Sequence, residues 1–285
     1  MISTRRPFFV TFLAPAVLTA VILVAALFEV MQYSVREYIP GSLNVGGLTL
    51  DNFRINKPIY WGALLNTFYM SFLTAIYSLV LSYPIAFALV RTERDWVRSI
   101  LIALSITPLF TGEIVRTYSW MLMLGSDGFV NSVLQGIGMI DAPLQIMYTR
   151  FGVVVALVQF SMPVMIILLA TAISHVDRDL EKAAANLGAA PLMVFWKVTL
   201  PLTAPGILSG VVVVFAWTMS AFSTPQFIGG GKILMISNLA YLQGFSTLNL
   251  PFAATLSLIA LVAALGSLAI VKSMTGRLER RLAVN

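Results

Sequence analysis

Long apolar runs separated by shorter polar stretches make up this chain. Phe9 to about Met31 is apolar apart from Glu29, and comparable runs extend over about 60–90, 99–124, 151–173, 206–228 and 251–271. Each is long enough for an α-helix to cross a hydrocarbon core of about 30 Å. The pattern predicts an all-α integral membrane protein, a single transmembrane domain over 1–285 with six membrane-spanning helices, the second of them open to a kink at Pro84. A cleaved signal peptide is the competing reading of the first run, which is longer than the apolar part of such a peptide. The polar stretches fall at 32–58, with Arg36, Glu37, Asp51, Arg54 and Lys57, and at 125–150, with Asp127, Asn131 and Asp141. A short one lies at 229–232, and the longest polar loop joins the fourth and fifth runs at 174–203.

Composition agrees with a membrane class. Of 285 residues, 59% are hydrophobic and 11% charged, and the mean hydropathy is +0.90, outside the range of a soluble domain. The absence of cysteine excludes a disulfide framework, a thiolate metal site and a cysteine nucleophile, and one histidine, His175, leaves no zinc-type cluster. The net charge of +6 reads as flanks of spans rather than as a nucleic-acid surface. With the N-terminus inside, the inner side holds Arg5, Arg6, Arg91, Arg94, Arg98, Arg178, Lys182, Lys197, Lys272, Arg277, Arg280 and Arg281, twelve basic residues, against Arg36, Arg54, Lys57, Arg150 and Lys232, five, outside. This asymmetry predicts that both termini and the 174–203 loop face the cytoplasm.

The loop runs Asp177-Arg178-Asp179-Leu180-Glu181-Lys182-Ala183-Ala184-Ala185-Asn186-Leu187-Gly188, then through Pro191, Phe195 and Trp196 to Leu200-Pro201, with six charges between two apolar runs. Asp177 is placed to cap a short helix whose first turns carry Asp179 and Glu181. Leu180, Ala184 and Leu187 form one apolar stripe, Gly188 stops the helix, and Pro191 opens a second one that closes at Leu200-Pro201. This pattern resembles the cytoplasmic loop of the permease subunits of binding-protein-dependent ABC importers, which reads Glu-Ala-Ala, three variable residues, Gly, and an apolar stretch ending in Leu-Pro. The matching positions are Ala183, Ala184, Gly188, Phe195, Leu200 and Pro201. Lys182 stands where the family has Glu, and the nearest acid is Glu181.

Further stretches resemble the spermidine/putrescine-type permeases: 48–53, Leu65-Asn66-Thr67, Ser82-Tyr83-Pro84-Ile85-Ala86, 108–120 and 222–231. The resemblance implies a type I ABC importer permease of the bacterial inner membrane, with polyamine, phosphonate, iron or an amino-acid-like compound as solute. It implies as partners a second permease subunit, two ATPase subunits that carry ATP and Mg and dock on the loop, a periplasmic binding protein, and membrane lipid, with no nucleic acid and no cofactor in this chain.

The spans offer few polar candidates. Glu113 and Arg116 share a helix face in the third span and either line the solute path or neutralise one another. Tyr118, Trp120, Phe160, Trp217 and Phe222 present aromatic faces to a cation or are ordinary packing. Gln226, beside Pro225, is a neutral polar candidate for the path. Gly229-Gly230-Gly231-Lys232 fails as a phosphate-binding loop, because Gln226 holds the place of its first glycine and Ile233 that of its Ser or Thr. No residue set supports catalysis or a metal. An ion-driven secondary transporter is the reading from another class, and it needs an intramembrane carboxylate relay of which Glu113 is the single member.

Overall fold

The structure, a computed structural model, describes residues 5–42 and 44–282, with side chains over 13–42 and 44–269. The basic residues Arg5, Arg6, Lys272, Arg277, Arg280 and Arg281, which carry part of the expected orientation, lie outside the described side chains. Among the described residues, five helical stretches are long and apolar enough to cross a membrane: Leu13–Ser34, Pro58–Arg91, Arg150–Ser174, Pro191–Met219 and Leu250–Ala269. A sixth crossing exists if Asp95–Phe110 and Glu113–Gly136, bent by 107°, count as one broken span.

The described residues group into two compact units. One contains α1 (Arg5–Ser34), a two-stranded antiparallel sheet of β1 (Arg36–Tyr38) and β2 (Val45–Leu48), and residues 239–262. Asn52 ties the end of α1 to the sheet by donating to the carbonyls of Ser34 and Arg36 at 3.0 and 2.7 Å. The Thr255 hydroxyl also donates to the Ser34 carbonyl, at 3.2 Å.

The other unit holds most of α2 (Pro58–Arg91), then α3 (Asp95–Ile106), α4 (Glu113–Leu124), α5 (Phe129–Gly136), α6 (Arg150–Ser174), α7 (Arg178–Asn186), α8 (Pro191–Val194), α9 (Leu200–Met219) and α10 (Ser223–Ile228). Helices α11 (Ile236–Tyr241) and α12 (Leu250–Leu282) complete the described chain. The core of this second unit forms where α6 packs along α9. Met165, Ile166, Leu169 and Ile173 of α6 meet Val214 of α9 and Ala75, Tyr83 and Ala86 of α2 there. Gly206 and Gly210, four apart on α9, allow the approach: a Cβ on Gly206 would overlap that of Ala172, and one on Gly210 the Met165 sulfur. Small residues at this spacing let helix backbones close where lipid gives no hydrophobic drive.

Three expectations are corrected. The third span is not one helix over 99–124: Pro108 has no N–H to continue α3, a 3₁₀ turn follows at Thr107–Phe110, and Thr111 and Gly112 are extended before α4 begins. Glu113 is therefore the first residue of a new helix at the break, rather than an interior residue of a continuous one. The fifth span does not cover 206–228: its helical stretch reaches back to Pro191 and stops at Met219. Ser220 is its C-cap, and Pro225 sits in the first turn of α10, where its missing N–H costs nothing. Likewise the second loop helix does not close at Leu200-Pro201. A π-helical turn at Phe195–Thr199 carries α8 into α9, with Pro201 in that helix's first turn.

Candidate functional site

In the 174–203 loop, α7 starts where the Asp177 carboxylate accepts the Asp179 N–H at 2.9 Å. It ends at Gly188, whose φ of +87° places it in the left-handed region. The N–H of Ala189 returns to the Ala184 carbonyl at 3.1 Å and that of Gly188 to Ala185 at 2.9 Å, a closure that favours glycine. Nothing lies within 4 Å of a Cβ added at Gly188, so the requirement there is conformational rather than steric. Pro191 opens α8 as expected.

Glu181 is the residue that joins this loop to the spans. Its Oε1 accepts from Arg91 Nη2 at 2.9 Å and from the Thr199 hydroxyl at 2.8 Å. Arg91, the last residue of α2, also donates to the Val176 carbonyl at 3.2 Å. The side chains of Arg91 and Glu181 are 13% and 18% exposed, so little water screens the pair. Next to it, Arg178 donates to the Val90 carbonyl at 2.9 Å, satisfying a carbonyl in the last turn of α2. One short helix is thus fastened to the end of α2 and to the π turn that begins α9.

Lys182, at the position of the family's Glu, is exposed and bonds Asp179 at 2.8 Å. That hydrogen bond, and then the opposite charge, holds the Asp179 carboxyl below its ordinary 3.8 and raises the Lys182 ammonium above 10.5. Phe195 packs edge-on to Tyr83 and Phe87, with ring centroids 5.5 and 6.1 Å away. The Tyr83 and Thr203 hydroxyls are 2.9 Å apart. Ala184 and Leu200 are half-buried, while Ala183, Gly188 and Pro201 are exposed. The expected apolar stripe is not buried within this chain: Leu180 and Leu187 are exposed, Leu187 by 89%, and Leu192, Met193 and Trp196 extend the same exposed apolar character.

A second polar group sits at the bend between α3 and α4. The Arg116 guanidinium carbon lies 3.9 Å from the centre of the Phe160 ring, and Arg116 Nη1 donates to the Pro108 carbonyl at 3.0 Å. Phe160 meets Trp217 edge-on at 5.5 Å, and Trp120 Nε1 donates to Gln159 Oε1 at 3.1 Å. The structure therefore gathers Arg116, Trp120 and Trp217 around Phe160 and Gln159. Glu113 and Tyr118 are exposed on α4, and no ion pair joins Glu113 to Arg116 among the described residues. Gln226 lies on α10, which packs against α4, and its Oε1 accepts from Asn238 Nδ2 at 3.0 Å. The same Asn238 amide donates to the carbonyl of the half-buried Phe222 at 3.1 Å. Sequence reasoning missed Arg91, Thr199, Gln159 and Asn238. Of these, Asn238 left a signal, a lone amide in an otherwise apolar run.

The family described as binding-protein-dependent transport system inner membrane component matches residues 78–284. The chain belongs to this family. It is 35% identical over 211 residues to the spermidine/putrescine transport system permease protein PotB of Escherichia coli (strain K12), covering 74% of this chain and 76% of that protein. To the PotB of Haemophilus influenzae it is 32% identical over 212 residues, 74% of each chain. The crystal structure of a bacterial alginate ABC transporter, in complex with an alginate pentasaccharide-bound periplasmic protein, superposes with a TM-score of 0.76 at 18% identity, over 96% of this chain and 95% of that one. The permease therefore has the type I ABC importer fold. It is a multi-pass inner-membrane component of a binding-protein-dependent transport system and not an enzyme. Family membership sets aside the ion-driven secondary transporter.

Proposed function

We propose that this permease is one of two different membrane subunits of an ATP-driven importer for polyamines, with spermidine or putrescine as solute. The observation that carries the solute is the identity of up to 35% to PotB proteins across three quarters of the chain. A periplasmic binding protein delivers the solute to the outer segments. Two ATPase subunits, which hold ATP and Mg, close on the cytoplasmic side, where both termini lie.

The 174–203 loop is the surface on which one ATPase docks. Exposed Leu180, Leu187 and Leu192 supply apolar contact of the kind that marks an interaction site. Glu181, held by Arg91 and Thr199, carries movement of α7 to α2 and α9 at once, and a small shift of the loop re-aims two spans in an alternating-access cycle.

The test has two arms. A thermal-shift screen of the cognate binding protein against polyamines, amino acids, phosphonates and ferric ion is expected to show stabilisation by polyamines. Stabilisation by another class alone would overturn the solute. Affinity purification of the tagged permease is expected to retain an ATPase, and its loss on Leu187→Asp would place the dock on the loop. Unchanged retention in that variant would remove it.

A further inference from the structure

An arginine at membrane depth is costly and ordinarily finds a carboxylate or a polar cavity. Arg116 has a carboxylate within its own helix, on Glu113 three residues earlier, yet among the described residues it makes no ion pair. Its charge is instead laid on the face of Phe160 at 3.9 Å, with one hydrogen bond to the Pro108 carbonyl. The site lies at a break in a span, and irregular backbone at membrane depth survives only where protein covers it or a polar cavity opens beside it.

Beside the bend is a cavity of about 230 Å³, lined by Leu101, Leu104, Met162 and Ile166 together with Gln159 and Pro108. Pro108 and Gln159 both line this cavity, while the Pro108 carbonyl binds Arg116 and Phe160 follows Gln159 directly on α6. A flat aromatic face next to an apolar slot fits one chemistry well: an ammonium group followed by a methylene chain.

We propose that the face of Phe160 is a cation site of the translocation path, occupied in this conformation by Arg116 and exchanged for an ammonium group of the solute during transport. This rests on the reading of the permease as a polyamine carrier. While Arg116 is docked, the ring is filled and the fixed positive charge repels a second cation, so the path is closed to polyamine. When the bend between α3 and α4 moves, Arg116 leaves the ring and Glu113, one turn away on the same helix face, receives it. The solute then lays its ammonium on Phe160 and its alkyl chain in the adjoining cavity. Arg116 is a tethered competitor that keeps the site weak, as a conduit requires.

The test is equilibrium dialysis of radiolabelled spermidine, and separately of guanidinium, against the full chain in lipid nanodiscs without ATP. Arg116→Gln is expected to retain spermidine about tenfold more tightly than the unaltered chain, the size of one partly desolvated cation–π contact. Arg116→Lys, which keeps the charge, is expected to bind as the unaltered chain does. Arg116→Gln with Phe160→Leu is expected to lose the gain, and with Phe160→Tyr to keep it. Should Arg116→Gln fail to assemble, Arg116→Met retains the aliphatic stem and carries the same comparison. Equal binding by the unaltered and neutral variants, or a gain that survives Phe160→Leu, overturns the proposal. Phe160-dependent gain for guanidinium without any for spermidine upholds the cation site and removes the polyamine reading instead.

Discussion

Arg91 and Arg116 are both half-buried cations in an apolar chain, and the protein treats them oppositely. Arg91 ends α2 against a carboxylate at 2.9 Å that a threonine hydroxyl also holds. Arg116 rests on an aromatic ring and a single carbonyl. Breaking a buried ion pair costs about 3–5 kcal/mol, whereas a cation–π contact is worth about 0.5–2 kcal/mol. The gap assigns the roles. A carboxylate lock transmits force without letting go, and a ring contact can be exchanged on every transport cycle.

The comparison breaks most visibly at Glu181. Glu181→Ala leaves Arg91 with only the Val176 carbonyl, and the cost should approach the lower end of the buried-pair range, about 3 kcal/mol, because both groups keep some exposure. Uptake by proteoliposomes of the assembled importer is expected to fall more than about tenfold, the equivalent of some 1.4 kcal/mol, while membrane insertion persists. Gly188→Val should come next. A β-branched residue at φ +87° costs about 1–2 kcal/mol or more, with no clash to add. Uptake and ATPase retention should drop several-fold, and Gly188→Asn, which tolerates the left-handed region, should be mildest.

Smaller effects sharpen the other side. Gln226→Ala removes one of the two acceptors of the Asn238 amide, a bond worth about 0.5–1.5 kcal/mol. It should lower the maximal rate more than it shifts the concentration for half-maximal uptake, and Gln226→Leu should do so further. A changed order of preferred solutes, with the same binding protein throughout, would place selectivity in the permease. Smallest of all is Lys182→Ala, because its pair with Asp179 is fully exposed. The Asp179 carboxyl is held low, so its contribution is present above pH 3.8 and is lost only as pH falls through the depressed value. The Lys182 contribution, with the ammonium raised, is present below 10.5 and is lost as pH rises through the raised value. Uptake measured between about pH 6 and 8 should therefore be flat as far as this pair is concerned.

Local chemistry makes the loop legible in the sequence. Asp177, Gly188 and Pro191 each have one dominant use at a helix end, and charges between apolar runs cannot be averaged away. The bend at 107–112 was hidden by the same averaging, since Pro108 and Gly112 sit within a run whose overall hydropathy is that of a continuous span. Pro201 misled for a related reason: it reads as a stop, yet a π turn before it lets the helix continue. The lock itself was beyond reach, because Arg91 and Glu181 are 90 residues apart and their pairing belongs to the packing of α7 on α2. At Lys182 the family pattern drew attention to the exposed position, while the neighbouring Glu181 makes the buried contact.

Exchange of charge between Arg91 and Glu181 tests the coupling account most directly. Polyamine uptake and ATPase retention are measured for Arg91→Glu, for Glu181→Arg and for the two together in the assembled importer. Each single change places like charges together and should abolish uptake. The double change should restore a substantial part of it, because the pair is re-formed with its sign reversed. Uptake in either single variant equal to that of the unaltered permease, with ATPase still bound, would contradict the claim that this pair carries movement of the loop into the spans.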